Sequence, residues 1–241
     1  GMKFAEHAKK LGVSFVTENV ISMDAAGEVK KVVTDKKEYE AKTIIIATGA
    51  VHRKAGIPGE AEFTGKGVSY CATCDGAFFR NKITAVVGGG DVAVEDAIYL
   101  ARMCEKVYLI HRRDEFRAAK SLVNKAKNTE NIELVLDSTV ERISGEAKVS
   151  SIEVKNKITG NTDELAVDGV FLAVGMQPVT AFVDKSVQMN EAGYIVAGED
   201  CATNVPGVYA AGDIRTKQLR QIITAAADGA NAVASVEKYI L

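Results

Sequence analysis

Residues 83–96, ITAVVGGGDVAVED, constrain the fold more than any other stretch of this chain. A short strand-forming run leads straight into three glycines, and these open a helix-forming segment, VAVEDAIYLARMC. Gly88, Gly90 and Ala93 stand at the spacing G-x-G-x-x-G/A. In such a turn the first glycine permits the tight reversal and the second lets a pyrophosphate approach the backbone. The small third residue keeps helix and strand close. Amide donors and the dipole at the start of the helix suit negative charge, so Gly88, Gly90, Asp91 and Ala93 are expected to meet the cofactor. Glycine turns also occur without ligands, but a strand before and a helix after favour a dinucleotide.

The next strand, KVYLIHRRD, reaches the place where an NAD site puts a carboxylate on the ribose hydroxyls. This chain has His111, Arg112 and Arg113 there, followed by Arg117. A carboxylate would repel a 2′-phosphate, whereas guanidinium groups clamp it with paired hydrogen bonds. A solvated basic turn balanced by Asp114 and Glu115 is the plainer reading. The position of the cluster favours NADPH.

Alternating strands and helices continue on either side, which argues for an α/β chain with a parallel sheet. SLVNKAKN reads as a helix, NIELVLDSTVERISG as one strand, and VSSIEVKNKITGNTDELAVDGVFLAVG as a hairpin turning at Thr159–Asn161 that returns to a buried strand. Before residue 50 an amphipathic helix carries Phe4, Ala8 and Leu11 on one face. Strand-like runs follow at 13–16, 29–34 and 39–41, then TIIIATGA. The final helix places Ile222, Ala226, Gly229, Val233, Val236 and Ile240 near one face. Two Gly- and Pro-bearing breaks, 49–60 and 174–180, look like paired crossings between two domains. We therefore expect one domain of residues 1–51 and 179–241, and a second of residues 52–178.

The chain has 241 residues, 26% of them charged, and a net charge of −2, which gives no reason to expect a nucleic-acid or membrane partner. The N-terminus has no apolar core of a secretory signal and no apolar run reaches membrane length, so a cytoplasmic protein is expected. Of the four cysteines, only Cys71 and Cys74 are close, in YCATCDG; Cys104 and Cys201 read as small core or surface residues. A CxxC can be a buried pair, half of a metal site or a redox dithiol. In a cytosolic chain with no second close pair, redox is favoured over zinc. Asp75 is a candidate proton donor and acceptor for the leaving thiolate, or simply a helix cap. NADPH delivers a hydride, which a disulfide does not readily accept, so a flavin is expected between the two.

Together CATCDG, GGGDVAVEDA, HRRDEFRA, ATNVPGVYAAGDI and RQIITAAADG resemble the low-molecular-weight, bacterial-type thioredoxin reductases over nearly the whole chain. The resemblance implies two Rossmann-like domains, an NADPH domain bearing the Cys71–Cys74 redox disulfide and a discontinuous FAD domain. It implies that Thr48, Gly49, Gly212 and Asp213 meet the FAD, and that Arg220, Gln221 and Ile222 approach its isoalloxazine ring. Arg112, Arg113 and Arg117 match the NADP phosphate clamp. It further implies a homodimer, rotation at the two crossings, and a thioredoxin-like protein as substrate. Members of that family begin with a strand, glycine turn and helix for the FAD pyrophosphate, which this sequence does not show. The expectation is therefore an N-terminally truncated flavin domain that binds FAD weakly or not at all. The competing readings are a flavin-free NADPH-binding module and a zinc-binding domain.

Overall fold

The computed structural model describes residues 2–241, which divide into two compact units: residues 2–51 with Gln177–Leu241, and His52–Met176. In the first unit α1 (Met2–Lys10) precedes an antiparallel meander of β1 (Val20–Asp24), β2 (Lys30–Thr34) and β3 (Glu38–Ala41). β4 (Ile44–Ile46) follows. The strand expected at 13–16 is absent: these residues form no regular element, pair with no described strand, and leave Val13, Phe15 and Val16 exposed. β-branched and aromatic residues alone do not make a strand where no backbone partner pairs with them. The chain passes from one unit to the other in two short strands, β5 (Ala50–His52) and β14 (Met176–Pro178).

The second unit runs α2 (Glu60–Phe63), β6 (Val68–Ser69), α3 (Ala72–Asp75), a 3-10 turn (Gly76–Phe79), β7 (Ile83–Val87), α4 (Asp91–Ala101), β8 (Lys106–Ile110) and α5 (Lys120–Lys127). There follow β9 (Ile132–Val135), β10 (Ser138–Gly145), β11 (Val149–Asn156), β12 (Thr162–Ala166) and β13 (Gly169–Leu172). A five-stranded parallel sheet has the order β6-β13-β7-β8-β9. Its side chains alternate between two cores, as the two-residue period of a strand requires. Val86, Val107, Leu109 and Phe171 pack with Ala93, Val94 and Ala97 of α4. Ala85, Ile110, Val170 and Leu172 pack with Val140, Ile143, Ile152 and Val154 of the antiparallel sheet β10-β11-β12. The unit thus has three layers: helices, parallel sheet, antiparallel sheet.

The run expected as one strand over 131–145 is two. Asp137 has a left-handed φ of 52°, and the break sends β9 into the parallel sheet and β10 into the antiparallel one.

Back in the first unit, β15 (Val208–Ala210) pairs in parallel with β4, and α6 (Ile222–Ile240) closes the chain. Met23, Ile46, Ile195, Val208 and Ile214 form its main core. The inward face of α6 differs from the apolar stripe of the sequence. Asp228 and Ala232 are buried and Val236 is partly so, while Ile222 is 87% exposed and Val233 60%. The side chain that sets this rotation is polar. Asp228 accepts from Arg215 Nε (2.8 Å) and Nη2 (2.6 Å), from Lys217 Nζ (2.8 Å) and from the Gly212 amide (2.9 Å). No described helix is long and apolar enough to cross a membrane.

Candidate redox and nucleotide sites

β6 ends at Ser69 and the chain turns into α3, whose N-cap is Cys71 in an extended conformation. One turn of helix brings Cys74 back over it. The two sulfurs are bonded, with the Cα atoms 5.3 Å apart. The Cys74 amide donates to Cys71 Sγ at 3.2 Å, and the Thr73 hydroxyl lies 3.3 Å from the same sulfur. Cys74 is exposed and Cys71 half-buried. Asp75 ends α3 and makes no capping bond with its side chain. Its carboxylate instead accepts the Ser69 hydroxyl at 2.6 Å, while Ser69 Oγ accepts the Cys71 amide at 3.1 Å. Buried Ser69 therefore joins the first cysteine to the acid, a role no periodicity in the sequence signals.

Two supports hold this turn. Ala72 is buried with α4, and a Cβ on Gly76 would stand 3.0 Å from Leu100 and 3.2 Å from Tyr99, so the backbone lies directly on that helix. On the other side, the Tyr70 hydroxyl donates to Glu60 Oε1 at 2.7 Å, and its ring stacks on His52. The Glu60 carboxylate also receives the amides of Ala55, Gly56 and Ile57. Burial opposes its ionisation, but the Tyr70 hydroxyl and the three amides outweigh burial and hold its pKa below the usual carboxylate value. Glu60 and Tyr70 escaped the sequence reading; the only local sign was a lone carboxylate closing the turn Gly56–Gly59.

The other end of α4 opens from the glycine turn. A Cβ on Gly88 would meet Ala173 O at 2.6 Å and Ala93 Cβ at 2.7 Å, and one on Gly89 would enter the His111 ring. Gly90 is different: nothing lies within 4 Å of its added Cβ. Two of the glycines are thus needed by the fold, and the third faces open space beside the first amides of α4. Asp91 opens the helix, and its Oδ1 accepts the Ala119 amide at 2.7 Å.

His111 leaves the C-terminal end of β8, is buried, and stacks on Phe116. Its Nε2 has no partner. Burial first, and then the charges of Arg117, Arg113 and Arg112, push its pKa down, partly offset by a bond with the Glu115 backbone. Arg112, Arg113 and Arg117 are exposed, and among the described residues none forms an ion pair, with Asp114, Glu115 or otherwise.

In the first unit β4 and β15 run parallel, so Thr48–Gly49 and Gly212–Asp213 both leave carboxyl ends of adjacent strands. Clefts at that edge are where open α/β sheets take ligands. The Thr48 hydroxyl donates to Val179 O at 2.9 Å, and Gly49 has φ 70°. Gly212 has φ 78°, and its added Cβ would meet Ala225 of α6 at 3.4 Å. Asp213 Oδ1 is buried without a partner. Arg220 lies over the Tyr194 ring at 4.2 Å with its Nε unpartnered, Gln221 caps α6, and Ile222 is open to solvent. Cys104 and Cys201 are both buried thiols, and among the described residues no three of His, Cys, Asp and Glu group as metal ligands.

A sequence model of the pyridine nucleotide-disulphide oxidoreductases matches residues 2–229. The chain belongs to this family. It is 45% identical to the thioredoxin reductase of Peptoclostridium acidaminophilum over 244 residues, covering 99% of this chain and 78% of the relative. To that of Bacillus subtilis (strain 168) it is 44% identical over 239 residues, covering 99% and 76%. The solved thioredoxin reductase of Streptococcus pyogenes superposes with a TM-score of 0.93 at 44% identity over 99% of this chain and 78% of that one. The Giardia duodenalis enzyme gives 0.93 at 38% identity, over 99% and 79%. The fold is therefore the α/β fold of these oxidoreductases, and the chain carries a Cys71–Cys74 disulfide within it.

Proposed function

We propose that this chain serves the NADPH-dependent reduction of a thioredoxin-like protein through the Cys71–Cys74 disulfide, with FAD between nucleotide and sulfur. The observation that carries the reading is that one helix, α4, supports both chemistries: its first turn follows the glycine turn, and its second half carries the redox turn.

The residues suit the groups they would hold. Open space at Gly90 admits a pyrophosphate, and three unpaired guanidiniums suit a 2′-phosphate. The lone buried acceptor Asp213 Oδ1 suits a sugar or ribityl hydroxyl, beside Thr48, Gly49 and Gly212. Arg220, Gln221 and Ile222 would border the ring. FAD, when bound, supplies a relay that takes two electrons from a nicotinamide and passes them to a disulfide.

The chain's own part is thiol chemistry. Two electrons and two protons convert the Cys71–Cys74 bond to two thiols, and Asp75, steadied by Ser69, holds or releases one of those protons. A thiolate of the pair attacks the partner's disulfide. The second thiol then resolves the mixed disulfide, restoring the Cys71–Cys74 bond and leaving the partner with two thiols.

The test combines FAD titration with anaerobic NADPH and a thioredoxin disulfide. Flavin binding with turnover that vanishes in Cys71→Ser and Cys74→Ser supports the scheme. NADPH binding without flavin uptake or turnover would establish the nucleotide-binding module instead. Undiminished turnover with either serine would falsify the role of the pair.

A further inference from the structure

The loop that carries the arginines is fastened at both ends. Near its start the Asp137 amide donates to Arg113 O at 3.1 Å, and Lys157 Nζ donates to Arg112 O at 3.4 Å. At its far end the Arg117 amide donates to Gly89 O at 2.8 Å, and the Ala119 amide donates to Asp91 Oδ1 at 2.7 Å. The last of these is the only side-chain bond among the four that reaches into the glycine turn. Asp91 is the first residue of α4, and Ala119 is the N-cap of α5.

A carboxylate is a poor neighbour for an anion. At the first turn of α4 it interacts favourably with the helix dipole, but it opposes the approach of a phosphate to the same amides. Direct contact with a pyrophosphate is therefore the wrong work for Asp91, and its Oδ1 is already committed to a backbone donor.

We infer that Asp91 is a positioning residue. Its carboxylate holds the Arg117 end of the loop against the glycine turn, so that the guanidinium cluster stands where a 2′-phosphate arrives. Asp91 thereby contributes to the choice of the phosphorylated over the unphosphorylated nicotinamide dinucleotide. The inference rests on the reading of Gly88–Ala93 and Arg112–Arg117 as an NADPH site, and replaces the cofactor contact expected of Asp91 from the sequence.

The sign of the effect separates this role from simple electrostatics. Removing a negative charge near a phosphate site strengthens binding of every nucleotide; loosening the arginine loop weakens binding of the 2′-phosphate alone. Titration calorimetry with 2′,5′-ADP and with 5′-AMP reads the difference without flavin or turnover. Wild-type protein should prefer 2′,5′-ADP. Asp91→Ala should lose about fivefold in 2′,5′-ADP affinity, the worth of one hydrogen bond, with 5′-AMP unchanged or tighter. Asp91→Asn keeps an acceptor and should stay within about twofold of wild type.

Ala119→Pro deletes the donor from the other side. The φ of Ala119 is −54°, inside the range proline adopts, so this change removes the N–H at a φ that proline tolerates. It should match Asp91→Ala in its loss for 2′,5′-ADP, and the double variant should lose no more than either. Because the tie is cut from each end separately, a variant that misfolds at one end leaves the other to decide. Equal losses for the two nucleotides, or unchanged or tighter 2′,5′-ADP binding in Asp91→Ala, would overturn the inference. If wild-type protein does not prefer 2′,5′-ADP, the nucleotide reading itself fails and the role of Asp91 falls with it.

Discussion

Replacing Asp228 by alanine removes one carboxylate and strands four donors: both bonded nitrogens of Arg215, Lys217 Nζ and the Gly212 amide. The side chains of Arg215 and Lys217 are only 10% and 8% exposed, so water cannot take over. Burial by itself would raise the pKa of Asp228. The bonds from Arg215, Lys217 and Gly212 outweigh it and hold the carboxyl at about 2, against an ordinary 3.8. That difference corresponds to about 2 kcal/mol at neutral pH. Stranding two buried cations adds to this, and losing one partner of a buried pair costs about 3–5 kcal/mol.

Asp228→Ala should therefore destabilise the first unit by about 3–5 kcal/mol, read by urea unfolding and by hydrogen exchange at the Gly212 amide. The pH dependence has a definite sign. The folded pKa is depressed, so the contribution is full above pH 4 and is lost as pH falls toward 2. In Asp228→Asn that acid slope should disappear. A cost below about 1 kcal/mol for alanine, the size of an exposed ion pair, would refute the reasoning. An unchanged acid slope in the asparagine variant would do the same.

Burial first, and then repulsion by Glu95, push Asp96 on α4 up to about 7. A raised carboxyl stabilises the fold only while protonated, so the second unit should lose up to about 4 kcal/mol as pH rises from 4 to 7. Asp96→Asn should flatten that slope in pH-dependent urea midpoints; a slope that persists would implicate another group. Gly88→Ala should cost about 1–3 kcal/mol through overpacking against Ala173 and Ala93, measured by thermal melting. Gly90→Val, into open space, should keep the melting temperature but abolish 2′,5′-ADP binding; retained binding would remove Gly90 from the site. Ser69→Ala should lower kcat about tenfold, the worth of one charge-assisted hydrogen bond, with KM for the protein substrate unchanged. Ser69→Thr should recover part of it, and an unaltered kcat in the alanine variant would deny Ser69 its place beside Asp75.

What could be read from the sequence were features written locally. The strand–glycine–helix run at 83–101 and the hairpin turning at 159–161 are set by neighbouring residues, and both are present. The CxxC spacing likewise singled out the two cysteines that the structure brings together, one at the cap and one within the single turn of α3. What escaped depends on partners far along the chain. Residues 13–16 are strand-like in composition but meet no strand, and Asp137 breaks an otherwise continuous run by its left-handed φ. On α6 the apolar pattern misjudged the inward face because a buried carboxylate, bonded to donors 11–16 residues away, decides the rotation. Ser69 was invisible for a similar reason: a single hydroxyl has no period.

The edge position of β6 has a consequence for how the molecule comes into being. β6 finds its sheet neighbour only in β13, roughly a hundred residues later: Val68 aligns with Val170, and Ser69 with Phe171. Closing so long a loop is slow and entropically costly compared with the local β7-α4-β8 unit. As the chain leaves the ribosome, that unit can assemble while the segment before it still waits for its mate. β6 is thus among the last pieces of the sheet to be secured, whereas the cysteine turn that follows it rests on α4 and on Glu60 and need not wait for β13.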